Sequence, residues 1–229
     1  MNFNFGNLSN QSFTSSSSQH LKPYGIYQVK LSDIKLDEIK GAKDPNAVYK
    51  VVHLEFTGTG EGESTGTFQT NIFIPSVEAD MERPTYTNAQ GHEYQRPSRF
   101  ENYQYTLMQI VTALNPEGAE KIKANASKIK TIDDFNALIL KALANKNDVV
   151  TNLKLIGRVT NGVTYAQLPN ACGLNRDGET FPVNFIGEGL FFTNYEITQQ
   201  KNYQNAKPTE MSEVDKPSDS GFNLDDIEI

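Results

Sequence analysis

Arginine and tyrosine are interleaved through residues 83–105, where Arg83, Arg96 and Arg99 alternate with Tyr86, Tyr94, Phe100, Tyr103 and Tyr105. A guanidinium meets a phosphate through two parallel N–H bonds. A tyrosine face stacks on an unpaired base for about 1–3 kcal/mol. Together they suit a ligand that is both charged and flat-faced. Phe100 and Tyr103 also fall on an apolar helix stripe, so Arg83, Tyr86, Tyr94, Arg96 and Arg99 are the candidates without a competing duty. A second stretch, 121–158, sets Lys121, Lys123, Lys128, Lys130, Lys141, Lys146, Lys154 and Arg158 against Asp133, Asp134 and Asp148. An ordinary solvated helix face explains Lys121–Lys130 equally well. Lys50 and the strand aromatics Tyr27, Tyr49, Phe68, Phe73 and Tyr165 complete the candidate surface, although strand alternation buries about half of such rings.

Little else in the chain invites chemistry. The glycine-rich stretch Gly58–Gly66 lacks the Gly-Lys-Ser/Thr ending of a phosphate loop, carries Glu61 and Glu63, and opens into a strand rather than a helix. It reads as a hairpin loop. His20, His53 and His92 are widely spaced, and one thiol, Cys172, cannot complete a zinc site. With a single cysteine there is no disulfide framework, and a reducing compartment is expected. The polar N-terminus is not a signal peptide, and no apolar run reaches the ~18 residues that span a bilayer. These features predict a non-catalytic cytoplasmic protein without cofactor, metal or membrane, and leave a homo-oligomer open.

The elements that must position these residues begin at Tyr24. Strands are predicted at 26–31, 48–56 and 67–74, forming a meander with a polar hairpin at 41–46. Residues 75–97 read as irregular. Ser98 with Glu101 and Thr131 with Asp134 make capping boxes, each opening a helix, and Asn115-Pro116 ends one helix and starts another. Strands resume at 149–159 and 163–168 around the Asn161-Gly162 turn, and a last strand is predicted at 189–197. Segregated strands and helices argue against a doubly wound parallel sheet. The predicted fold is mainly β with a helical insertion at about 98–146: a small antiparallel barrel of five to six strands over 22–199, with a disordered arm at 1–21.

Residues 200–229 read as a disordered acidic tail. The last twenty residues hold seven carboxylates against one cation, Lys216, which accounts for −6 of the chain's net −7. The remaining body is nearly neutral. Apolar Phe222, Leu224, Ile227 and Ile229 are set among Asp225, Asp226 and Glu228. Acid for long-range attraction plus a short apolar hook predicts a peptide that docks on basic, grooved partners. A plain solubility tail is the simpler reading.

Residues 223–229 are similar to the Asp-Asp-Asp-Ile-Pro-Phe ending of bacterial single-stranded DNA-binding proteins: Asp225, Asp226 and Ile227 match, whereas the proline and terminal phenylalanine do not. The order of three strands, helices and two strands resembles that family's OB-fold, and the chain's size and polyanionic end are most like phage replication members. The resemblance implies an OB-fold-like barrel, sequence-independent coating of single-stranded DNA in replication, recombination or repair, and a tail that competes with DNA and recruits replication or repair proteins. Two rivals stand beside it: a structural or virion-assembly protein that binds no nucleic acid, and a metal-dependent nucleic-acid enzyme using carboxylates such as Glu55, Glu78 and Asp80.

Overall fold

A computed structural model describes residues 20–41, 44, 46–61, 65–88, 90–174 and 178–205. Its centre is a five-stranded antiparallel sheet made of β1 (Gly25–Lys40), β2 (Val48–Gly58), β3 (Thr67–Phe73), β6 (Val150–Thr160) and β7 (Val163–Gln167), in the order β3-β2-β1-β6-β7. Two small hairpins stand apart from it: β4 (Thr85–Thr87) with β5 (Glu93–Gln95), and β8 (Cys172–Leu174) with β9 (Thr180–Pro182). Helices α1 (Arg99–Leu114), α2 (Pro116–Ala124) and α3 (Ile132–Leu143) fill the predicted insertion, and α4 (Asn194–Asn205) follows the last hairpin.

β1 is the splint of the sheet. Residues 25–30 pair with β6, and residues 29–40 pair with β2. The register slips between Leu31 and Asp33, leaving Ser32 as the extra residue of a bulge. Its hydroxyl donates to the Glu55 carbonyl (3.0 Å) and carboxylate (3.1 Å) and accepts from Thr57 (3.0 Å), so the disrupted ladder keeps its hydrogen bonds. The bulge also changes which residues face inward. Val29 and Leu31 point to the core before it, and Ile34 packs there after it.

The core gathers Val52, Leu54, Phe56 and Phe68 from the meander and Leu153 and Leu155 from β6. Against them pack Tyr103, Leu107, Ile110 and Leu114 of α1 and Phe135, Ile139 and Leu143 of α3. Each such side chain contributes about 1.5–3 kcal/mol on burial. Both predicted capping boxes form: Ser98 accepts from Glu101 N (3.1 Å), and Thr131 from Asp134 N (3.0 Å). Asn115 caps α2 by accepting from Gly118 N (3.1 Å), with Pro116 in the first turn. Asn161 (φ 51°) and Gly162 (φ 79°) are both left-handed, as a two-residue primed turn requires.

Four expectations are corrected. Residues 75–97 contain β4 and β5, which are too short to show alternation, and β8–β9 went unpredicted for the same reason. No strand forms at 189–197. Instead Thr193 and Glu196 make a third capping box, Thr193 N donating to the Glu196 carboxylate (2.7 Å) and Glu196 N to Thr193 Oγ1 (3.2 Å). Residues 200–205, expected in the tail, continue α4. Leu21, expected in the arm, is buried, and its N–H donates to Thr67 O (2.9 Å). The sheet is antiparallel and five-stranded as expected, but no ladder joins β3 to β7 among the described residues. No described helix is long and apolar enough to cross a membrane.

α4 buries no residue. It is tied down by the Lys154 ammonium, 2% exposed, which donates to both Glu196 oxygens (3.0 and 3.1 Å) and to Phe191 O (3.2 Å). Gln200 adds a bond to Tyr24 O (3.1 Å), and the Tyr203 ring lies 5.7 Å from that of Tyr24. The two ends of this ion pair are not equivalent. Lys154→Met leaves the Glu196 carboxylate its Thr193 N–H partner at the start of α4. Glu196→Gln leaves an ammonium buried without a counter-charge, a loss of about 3–5 kcal/mol. Urea denaturation should therefore find Glu196→Gln the more destabilising of the two, and equal midpoints would show that the pair carries little of this anchoring.

Candidate nucleic-acid interface

The hairpin β4–β5 presents the first group of predicted residues. Tyr86 and Tyr94 face each other across the two strands. The Arg96 guanidinium lies 4.1 Å above the Tyr86 ring centre, within cation–π range. No carboxylate of a described residue pairs with Arg96, so its N–H groups stay open to an anion while the guanidinium rests over the ring. Tyr86 is exposed. Tyr94 is not comparably free: a Cβ on Gly178 would fall 2.1 Å from its ring, so the Gly178 backbone lies close against it. Asn88 also donates to its hydroxyl (3.3 Å).

The other two arginines of this stretch are committed to structure. Arg83 grips the Glu101 carboxylate through Nε (2.9 and 3.0 Å) and Nη2. Glu101 is also the reciprocal partner of Ser98 at the N-terminus of α1, accepting from Ser98 N (2.8 Å). One carboxylate thereby joins the approach to β4 to the start of the helix. Arg99 pairs with Asp80 (3.3 Å), whose other oxygen accepts from Ser76 N (3.1 Å). Each arginine already has the anion that a phosphate would have to replace.

Lys154 and Phe68 are corrected more sharply. Lys154 is sealed beneath α4, and Phe68, 5% exposed, belongs to the core. Neither is available to a ligand. Phe73 is half-buried, edge-on to Tyr49 with ring centres 5.8 Å apart. Tyr27 folds over Gly25 and donates to Lys22 O (3.0 Å). Lys50 is exposed on β2, opposite Glu38. Arg158 and Tyr165 do come together as a cross-strand pair on the β6–β7 hairpin, with Tyr165 half exposed. Beside them Val159 and Val163 are exposed too. The tail residues Phe222, Leu224, Asp225, Asp226, Ile227, Glu228 and Ile229 lie outside the described residues.

Charge is unevenly spread. The outer face of β1–β3 offers Asp33, Asp37 and Glu55, with Lys35 held between the two aspartates (3.9 and 3.8 Å). Glu55 is occupied by Ser32 and by Gln69 Nε2 (2.5 Å), and His53 Nδ1 meets Asn71 Oδ1 (2.9 Å). An acidic surface of this kind repels phosphate. In contrast, Lys121, Lys141 and Lys146 on the helical block have no carboxylate partner among the described residues, whereas Lys123 pairs with Glu120 (2.8 Å). Lys128 and Lys130 bond to Asn125 Oδ1 (2.9 Å) and Ser127 O (2.8 Å), both uncharged, and keep their positive charge unmatched. Among the described residues no three His, Cys, Asp or Glu side chains stand close enough to share a metal ion. Burial pushes the Cys172 thiol up to about 11, which leaves it protonated and a poor nucleophile at neutral pH.

Sequence reasoning missed Gln109, whose amide staples three backbone positions to α1. It donates to Ala171 O (3.3 Å) and Val183 O (3.0 Å) and accepts from Phe185 N (3.3 Å). No sequence signal distinguishes such a glutamine from a solvated one. The Lys154–Glu196 pair was half legible, since Thr193-x-x-Glu196 repeats the capping pattern read correctly at Ser98 and Thr131. No protein-family model, curated protein or solved structure matches the chain.

The hydrogen bond from Arg83, with backbone and hydroxyl bonds from Ser98, holds the Glu101 carboxyl below the ordinary glutamate range. A lowered folded-state value stabilises the fold above the unfolded pKa of about 4.3, and that contribution disappears as pH falls through the lowered value. Glu101→Gln should lower the Tm at pH 7, and the gap from wild type should narrow below about pH 4. Calorimetry showing a gap independent of pH would disprove the electrostatic part of this clamp.

Proposed function

We propose that this chain binds single-stranded DNA without catalysis, as a coating protein of the bacterial and phage single-stranded DNA-binding type. The observation that carries the reading is the Arg96 guanidinium lying on the exposed Tyr86 ring with no carboxylate partner among the described residues. A phosphate can meet the outward N–H edge while an unpaired base stacks beside the same platform. On a second hairpin Tyr165, half exposed and opposite Arg158, offers a further ring for stacking. Cations of the helical block extend the positive surface between phosphates.

The strand order lends further support. β3-β2-β1-β6-β7, with helices between β3 and β6, is the sequence of neighbours in an OB barrel, and the shared, bulged β1 is suited to the bend such a barrel needs. We further propose that β3 and β7 approach as the two rims of an OB-like cleft. Residues 210–229 then serve as an acidic competitor for the cationic surface and as a docking peptide for replication or repair proteins. A nearly neutral body makes the proposal electrostatically workable, because the repelling charge is concentrated in one terminal segment.

Fluorescence anisotropy with an oligo-dT strand and the matching duplex tests the reading. The single strand should bind in preference, with log affinity falling against log salt at about −0.7 per neutralised phosphate. Arg96→Ala and Tyr86→Ala should each weaken binding about tenfold, which corresponds to roughly 1.4 kcal/mol. Deleting 210–229 should tighten it. Equal affinity for duplex, or single-strand affinity indifferent to both substitutions, would overturn the assignment.

A further inference from the structure

A groove of about 1360 Å³ runs along the solvent side of α1. Its floor follows two helical rows, Gln104–Met108–Thr112 and Tyr105–Gln109–Ala113, which lie side by side because residues four apart share a face. One wall is the connection from α2 into α3, with Ile129, Lys130 and Thr131. The other is formed by the start of β6 and the segment Asn184–Glu188. From Phe100 to Ala113 the floor is about 20 Å long at 1.5 Å per residue, the length of about six residues of extended peptide.

The lining is unlike that of a phosphate site. Lys123 and Lys130 are offset by Glu101 and Glu188; Lys123 is already paired with Glu120, and Glu101 with Arg83. Met81, Met108, Ile129 and Ile186 supply an apolar and partly adaptable surface. Between them stand the side-chain amides of Gln28, Gln104, Asn152 and Asn184. None of these four amides bonds to any described residue, whereas Gln109, in the same groove, uses both ends of its amide. A side-chain amide offers one acceptor and two donors, the groups that match a peptide backbone's N–H and C=O.

We infer that this groove binds an extended, uncharged peptide segment of a partner protein, with the four free amides pairing its backbone, and Met108 of the floor with Ile129 and Ile186 of the walls taking its apolar side chains. Charge argues for this occupant over a nucleic acid strand, since the groove provides no net cation to offset phosphates. The inference stands independently of DNA binding at the hairpins. It gives the folded body a protein-docking surface of its own, separate from residues 210–229.

The test pans the full chain against a phage-displayed random heptapeptide library and measures anisotropy of the enriched peptides, fluorescein-labelled. Enriched sequences should carry no net charge, and their affinity should be unmoved by salt. Met108→Asp places a carboxylate on the floor and should weaken them at least about tenfold. Asn152→Ala provides a second variant that removes one amide and little volume, and should weaken them less but measurably. Both positions are partly buried, and Met108 packs against the core, so binding is compared well below the Tm of each variant. Failure to enrich any peptide, enrichment of acidic peptides released by salt, or affinities untouched by both substitutions would overturn the inference. So would displacement of the peptides by oligo-dT whose own binding is lost in Met108→Asp, because the groove would then hold a strand. Tighter peptide binding after deletion of 206–229 would also overturn it by making the chain's own terminus the occupant.

Discussion

β1 must be hydrogen-bonded along both edges by two different partners, and the rest of the molecule is arranged around that requirement. The two pairings overlap only at residues 29 and 30, so β1 passes from β6 to β2 within a short stretch. The extra residue at Ser32, just past that overlap, bends the strand and resets its inward-facing parity in one step. The price is a broken ladder, which Ser32, Glu55 and Thr57 repair among themselves. Once β1 is set, the helical block between β3 and β6 has one open side of the sheet to cover, and its apolar stripes pack there.

Formal charge gives a poor account of what this surface can bind. Arg83, Arg99 and Lys154 all stand in cation-rich stretches, and all three are engaged by carboxylates distant in sequence: Glu101, Asp80 and Glu196. What remains for a polyanion is narrower and differently placed. It consists of the Arg96 guanidinium lying on a ring and lysines on the helices whose charge is unmatched among the described residues. The acidic outer face of β1–β3 directs any such ligand away from the middle of the sheet.

The parts of the fold legible in the sequence are those decided by neighbours a few residues apart. The boxes at Ser98 and Thr131, the Asn115-Pro116 junction and the Asn161-Gly162 turn are local events, and the structure has each where the residues place it. Parity along β1 could not be read past Leu31, because a bulge leaves no residue signature of its own. The hairpins β4–β5 and β8–β9 have three residues per strand, fewer than alternation needs to show itself. Phe68 and Phe73, five residues apart on one strand, could be ranked as core or surface only after the pairing register was known. The same holds for Lys154, whose burial depends on a helix that begins forty residues later.

Gly178, at φ +79°, presses its bare backbone against the Tyr94 ring. The contact joins the β4–β5 hairpin to the residue that leads into β9. Any larger residue at 178 would be strained at that φ and would push the Tyr94 ring out of its place.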